Sequence, residues 1–145
     1  MIPYKDNCMG FLQGKKILIT GMISDRSIAY GIAKACRDQG ADLAFTFAVD
    51  KLEDRVRNLA AEFDSELVFH CDVASDDEIN QLFVELGKHW EGLDGLVHAI
   101  AFAPKEALQG DFLDSLSRDA FNTAQDISAY SFPAMAKAAR PMMKG

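Results

Sequence analysis

Four stretches of the chain gather residue types suited to phosphate, a purine or a flat ring. The first is "GMISDRSIAYG", Gly21 to Gly31, directly after the apolar run "KKILIT". A glycine that closes a strand lets a ligand reach backbone a side chain would cover, and a serine opening the next helix can cap it and donate to a phosphate oxygen. The spacing departs from the common G-x-G-x-x-G pattern, because five residues separate Gly21 from Ser27 and none is glycine. Ser27 is therefore expected to serve where a glycine usually stands, with the longer loop bending around the phosphate. Gly31, one turn into the helix, is expected to permit close packing of helix on sheet. A plain N-capped turn would use the same residues, since glycine-rich turns are weakly specific.

The second stretch, "CDV", sets Asp72 where a strand gives way to a loop, with Val73 beside it. The carboxylate there can accept from a purine amino group or simply form a turn. The third, "HAIAFAP" at His98 to Pro104, ends an apolar run with small residues on both sides of Ile100, which leaves room for a flat ring against backbone. The fourth holds Tyr130 and Lys137, seven positions apart. Helical residues at that spacing share a face for packing reasons alone.

Other chemistries are disfavoured. His70, His89 and His98 are scattered, and His70 and its neighbour Cys71 would face opposite sides of a strand, so no metal site is expected. The three cysteines, Cys8, Cys36 and Cys71, are odd in number and lack zinc-type spacing, as free thiols of a reducing compartment would be. No serine lies in a G-x-S-x-G context. A net charge of -7 without a Lys/Arg run argues against nucleic acid, and the absence of any run of about 18 apolar residues argues against a membrane span. A cytoplasmic location is expected, and residues 1–8 are read as a leader without an assigned role.

The elements that must position these groups are legible as alternating patterns. Residues 15–21, 41–47, 66–73 and 93–102 are short, continuous and apolar, as strands buried on both faces are. Between them, Ile28, Ile32, Ala35 and Gln39 fall on one helical stripe that Gly40 would terminate, and Leu52, Val56, Leu59 and Phe63 fall on another. "SDDE" reads as a capping box from Ser75 to Glu78, followed by Ile79, Leu82, Phe83, Leu86 and Trp90. A fourth helix is expected over residues 114–139, with Ile127, Ala134 and Met135 forming a face for subunit contact. Strand and helix alternating at intervals of about 30 residues describe βαβ units and a doubly wound parallel α/β sheet in one domain, residues 9–145.

The ordered set G-x5-S-I-A-x-G, "FTF…DKL", "CDV", "HAIAFAP" and "DISAYSFPAMAKAAR" resembles the bacterial enoyl-acyl-carrier-protein reductases, a divergent branch of the short-chain dehydrogenase/reductases. The resemblance implies a Rossmann-type fold, NADH (NAD) as cofactor, and reduction of the trans-2 double bond of an enoyl thioester carried on acyl carrier protein. It also implies a homotetramer. By the same resemblance Gly21, Ser27 and Ile28 would hold the diphosphate, Asp72 and Val73 the adenine, Ile100 would lie by the cofactor and Ala103 by the substrate. Ala48 stands where the family often has glutamine and many NAD enzymes an acid for the ribose, so its side chain supplies no hydrogen bond. Nearby, Asp50 would repel a 2′-phosphate and Lys51 attract one. Ala101 stands where relatives often have glycine.

The family's catalytic tyrosine and lysine also lie seven apart, yet they follow a fifth strand, and a further tyrosine precedes them by ten positions. Here that place holds Ala120, and one helix separates "HAIAFAP" from Tyr130. No catalytic residue is therefore assigned, and the fold is expected to lack its C-terminal strands and helices. The alternatives are a non-catalytic nucleotide-binding module and a 3-oxoacyl ketoreductase of the same superfamily, whose ordinary loop reads T-G-x-x-x-G-x-G.

Overall fold

The computed structural model describes residues 10–143. Four strands, β1 (Lys16–Ile19), β2 (Asp42–Phe47), β3 (Val68–His70) and β4 (Gly95–Val97), form one parallel sheet in the order β3-β2-β1-β4. Helices α1 (Ile28–Asp38), α2 (Glu53–Ala61) and α3 (Asp76–Leu86) make the crossovers. Because β2 and β3 lie on one side of β1 and β4 on the other, the chain changes direction across the sheet between β1 and β4.

Successive strand residues point to opposite faces, so a sheet covered on both sides needs unbroken apolar runs. Ile17 and Ile19 of β1, with Leu43, Phe45 and Phe47 of β2, pack against Ala29 and Ala33 of α1 and Val56 and Ala60 of α2. Leu18 and Ala44, facing the other way, pack with Ile79, Leu82, Phe83 and Leu86 of α3. The sheet is thus doubly wound, as the alternation implied.

Ser27 caps α1 by accepting the Tyr30 N–H. Gly40 ends it in a left-handed conformation, φ +89°. There the Gly40 N–H reaches the Arg37 carbonyl at 2.9 Å and the Ala41 N–H the Cys36 carbonyl at 3.1 Å, the paired bonds of a Schellman stop. The buried face of α1 differs from the expected stripe. Ile28 is 79% exposed and Ala35 is exposed, whereas Ala29 and Ala33 are buried with Ile32 and Cys36 beside them. Gly31 is also exposed, with open space where a Cβ would project, so close approach of helix to sheet rests on the two alanines.

At α3 only half of the expected capping box forms. Ser75 Oγ accepts the Glu78 N–H at 3.3 Å, but the Glu78 carboxylate accepts the Asp72 N–H at 2.7 Å and lies 3.1 Å from His70 Nδ1. It fastens the turn after β3, while the Ser75 N–H donates to the Asp72 carbonyl at 3.0 Å.

The single helix expected over residues 114–139 is interrupted. It consists of α4 (Phe112–Ser115), α5 (Arg118–Gln125), a π-helical turn (Asp126–Tyr130) and α6 (Ser131–Ala139). Leu116 and Ser117 are extended because Ser117 uses its side chain to cap α5, accepting the Ala120 N–H at 3.2 Å. Of Ile127, Ala134 and Met135, expected to face a neighbouring subunit, Met135 is fully buried in the core cluster that includes α3, and Ile127 and Ala134 are partly buried against it. Leu113, Phe112, Phe132 and Phe121 are the large apolar side chains that this segment exposes most. Among the described residues no helix is long and apolar enough to cross a membrane.

Candidate functional site

The carboxyl ends of all four strands open onto one groove of about 400 Å³. Gly21 follows β1, Ala48 follows β2, Asp72 and Val73 follow β3 and Ile100 follows β4, and all five line it. In an open α/β sheet the crevice where strand order reverses is where ligands enter, and Gly21 and Ile100 sit there, on either side of the β1/β4 boundary. The rest of the wall is largely apolar, with Phe47, Leu52, Phe102 and Ile127 contributing.

Gly21 is required twice over. Its φ is +81°, and a Cβ built on it would overlap the carbonyl of Ala99. Thr20, which sequence reasoning passed over, explains how the two segments come so close. Its side chain is fully buried; Oγ1 donates to the Val97 carbonyl at 3.0 Å and accepts the Ala99 N–H at 3.3 Å, while its own N–H donates to Val97 at 3.0 Å. A threonine inside an apolar run, just before a glycine, is the available signal: a buried hydroxyl must find partners, and these lie on the neighbouring strand.

At the start of α1 the Ser27 hydroxyl is engaged locally, donating to the Ser24 carbonyl at 2.7 Å and accepting the Tyr30 N–H at 3.3 Å. The N–H groups of Ile28 and Ala29 have no acceptor among the described residues. They are the free donors at the positive end of an eleven-residue helix. Ser27 and Ile28 stand beside the groove and do not line it. Asp72 does both things its sequence context allowed: Oδ1 accepts the Ala74 N–H at 3.0 Å in a tight turn, and the residue lines the groove. Ala103 lies apart, at the edge of a second, apolar depression of about 210 Å³ with Leu108, Phe112, Leu116 and Phe121.

Of two further titratable groups, Cys71 lines the groove and Tyr130 does not. Cys71 is buried, and that burial, followed by the charges of Glu78 and Asp72, pushes its thiol up to about 12. Tyr130 is directed elsewhere, its hydroxyl donating to Asp76 Oδ2 at 3.1 Å at the beginning of α3. Tyr130 and Lys137 share a shallow depression with Asp76, Ile79 and Asn80, away from the groove. The bond to Asp76 raises the phenol above its ordinary value, the opposite of what an acid near neutrality needs.

These residues fit a bound dinucleotide. The Gly21–Ala99 contact leaves no Cβ in the crevice, free N–H donors stand at the head of α1, a carboxylate sits at the end of β3, and apolar walls can flank a ring. Together the strand order and the groove define a doubly wound α/β protein of the Rossmann class, with its crevice at the switch point. The family model described as "Enoyl-(Acyl carrier protein) reductase" matches residues 21–145, and the chain belongs to that family. It is 82% identical over 137 residues to the enoyl-acyl-carrier-protein reductase (NADH) FabI of Neisseria meningitidis serogroup B, covering 94% of this chain and 52% of the relative. A crystal structure of the enoyl-acyl-carrier-protein reductase (NADH) of Aquifex aeolicus superposes with a TM-score of 0.89 at 50% identity, covering 92% of this chain and 53% of that one. The reductase of Anaplasma phagocytophilum, solved in complex with NAD, gives 0.86 at 39% identity over 91% of this chain and 50% of that one. The chain thus spans about half the length of the curated relatives it matches.

Proposed function

We propose that this protein works as an NADH-dependent enoyl-acyl-carrier-protein reductase, reducing the trans-2 double bond of enoyl thioesters in fatty acid biosynthesis. The observation that carries this reading is the Gly21 turn against Ala99 at the point where strand order reverses, in a chain of this family. The NADH in the printed names of the relatives supports the choice of cofactor. In this reading residues 9–145 are the first part of the dinucleotide-binding domain; the leader read over residues 1–8 lies outside the described residues.

Bound NADH would supply the hydride. Gly21 gives its diphosphate access to backbone, and the N–H groups at the head of α1, Ile28 among them, meet the negative charge, with Ser27 holding the loop that presents them. Asp72 and Val73 would take the adenine, and Ala48 would border the adenosine ribose, its side chain supplying no hydrogen bond. Ile100 flanks the cofactor on the β4 side, and Ala103 marks the direction of the acyl thioester. The apolar walls exclude water from the ring. We assign the tyrosine that stabilises the enolate and the lysine that orients the nicotinamide ribose to the part of the relatives' length that this chain does not span. Enoyl-acyl carrier protein is the partner in this scheme, and a cytoplasmic homotetramer the working form.

The test is turnover of two thioesters by the complete protein. NADH oxidation with a crotonyl thioester and little with a 3-oxoacyl thioester is the expected result. A protein that binds NADH, leaves the crotonyl thioester unreduced and reduces the 3-oxoacyl one would be a ketoreductase instead.

A further inference from the structure

The π-helical turn at Asp126–Tyr130 is an irregularity with an identifiable cause. The Ser131 N–H donates to the Asp126 carbonyl, five residues back, leaving the Ile127 carbonyl without the amide it would meet in an α-helix. The Ser131 hydroxyl takes that place, donating to Ile127 at 2.6 Å. Since a carbonyl only accepts, the hydroxyl proton is committed there. His98 Nε2, 2.7 Å from the same oxygen, therefore carries a proton and donates to it. A residue just past β4 and a fully buried serine thus hold the turn from its C-terminal side.

Inside this turn Ser128 makes a two-point contact with one residue 26 positions away. Its Oγ accepts the Phe102 N–H at 3.0 Å and donates to the Phe102 carbonyl at 3.1 Å. Phe102 belongs to the segment after β4, which has left the sheet and makes no ladder bonds, and which forms one wall of the groove. Ile127, next to Ser128, lines the same groove. The clip does for Phe102 what a neighbouring strand would do.

We infer that Ser128, held by the π turn and the His98–Ser131 pair, is a positioning residue that fixes the Ile100–Phe102 wall for the half of the dinucleotide lying beyond β4. The inference rests on the reading of the groove as a dinucleotide site. In that geometry the adenosine half lies at the ends of β2 and β3, about two to three strand spacings of roughly 4.8 Å from β4. Ser128 then bears on one half of the ligand only.

Two ligands separate the halves: NADH, which spans the groove, and ADP-ribose, which lacks the nicotinamide. In Ser128→Ala, NADH binding should weaken about tenfold while ADP-ribose stays within about twofold of wild type, because the loosened wall must be ordered on binding. Ser128→Thr and Ser128→Val, equal in size and differing in the hydroxyl, ask the same question should the alanine variant fold poorly; Thr should bind NADH more tightly than Val. Hydrogen exchange at the Phe102 amide should be faster wherever the hydroxyl is missing. Unchanged NADH affinity, or equal weakening of both ligands, would overturn the role of Ser128. Failure of the wild-type protein to bind either ligand would remove the reading of the groove, and the clip's role with it.

Discussion

Replacing Gly21 with alanine tests the physical basis of the site most directly. At φ +81° a side chain enters the left-handed region, which disfavours an L-residue by about 1–2 kcal/mol. The added Cβ would also overlap the Ala99 carbonyl, a backbone group that cannot rotate aside as a side-chain tip would. Ala99 must therefore retreat, stretching its bond to the buried Thr20 hydroxyl; losing one such bond removes a further ~1 kcal/mol. The sum is about 2–3 kcal/mol, which lowers the urea midpoint by roughly 1–2 M at an unchanged denaturant slope. Nucleotide affinity should fall with it, since the crevice at the switch point is where the methyl sits. Gly31→Ala is the internal control: same substitution, same loop-helix unit, but an exposed helical position with nothing near the new Cβ, where alanine should stabilise by about 0.5–1 kcal/mol. A loss of less than about 0.5 kcal/mol in Gly21→Ala, or a change of the same sign in both variants, would refute the reasoning.

Two further outcomes follow from the same surroundings. Burial lowers the His98 imidazole, so the unfolded chain binds its proton more readily than the folded one. The stability involved is fully present above the unfolded value of about 6.5 and is lost as pH falls through the window down to the folded value. An NMR titration should give a His98 midpoint below about 6.5, and His98→Gln should lose stability less steeply on acidification; a midpoint above it would contradict the assignment of a neutral ring donating to Ser131. Cys71, with its thiol pushed up to about 12, should remain unlabelled by a thiolate-directed reagent at about pH 8 until the protein unfolds, as peptide mapping of the labelled cysteines would show. Labelling of the native protein at Cys71 would mean that the turn after β3 opens far more readily than its bonds to Glu78 suggest.

Much of this molecule is determined locally and is legible in its residues. Continuous apolar runs mark strands covered on both faces, Ser27, Ser75 and Gly40 mark helix ends through bonds between near neighbours, and the order of the motifs identifies the family. Those signals survive because a cap, a left-handed turn or a pleat depends on a few consecutive residues. What the tertiary structure alone decided are matters of contact between distant segments. Whether Ile28 or Ala29 faces the sheet depends on how closely α1 docks, and a one-residue shift turns the helix by about 100°. Glu78 had a partner in the capping box and found a different one in Asp72, because the turn after β3 offered a nearer donor. The single expected helix after β4 became α4, α5, a π turn and α6; the Ser131 bond to Ile127 is local, but the His98 contact that holds Ser131 in place exists only once β4 lies alongside. The clip between Ser128 and Phe102 is of the same kind: each residue is unremarked in its own neighbourhood, and the pairing arises from a fold that brings positions 26 apart within 3.0 Å.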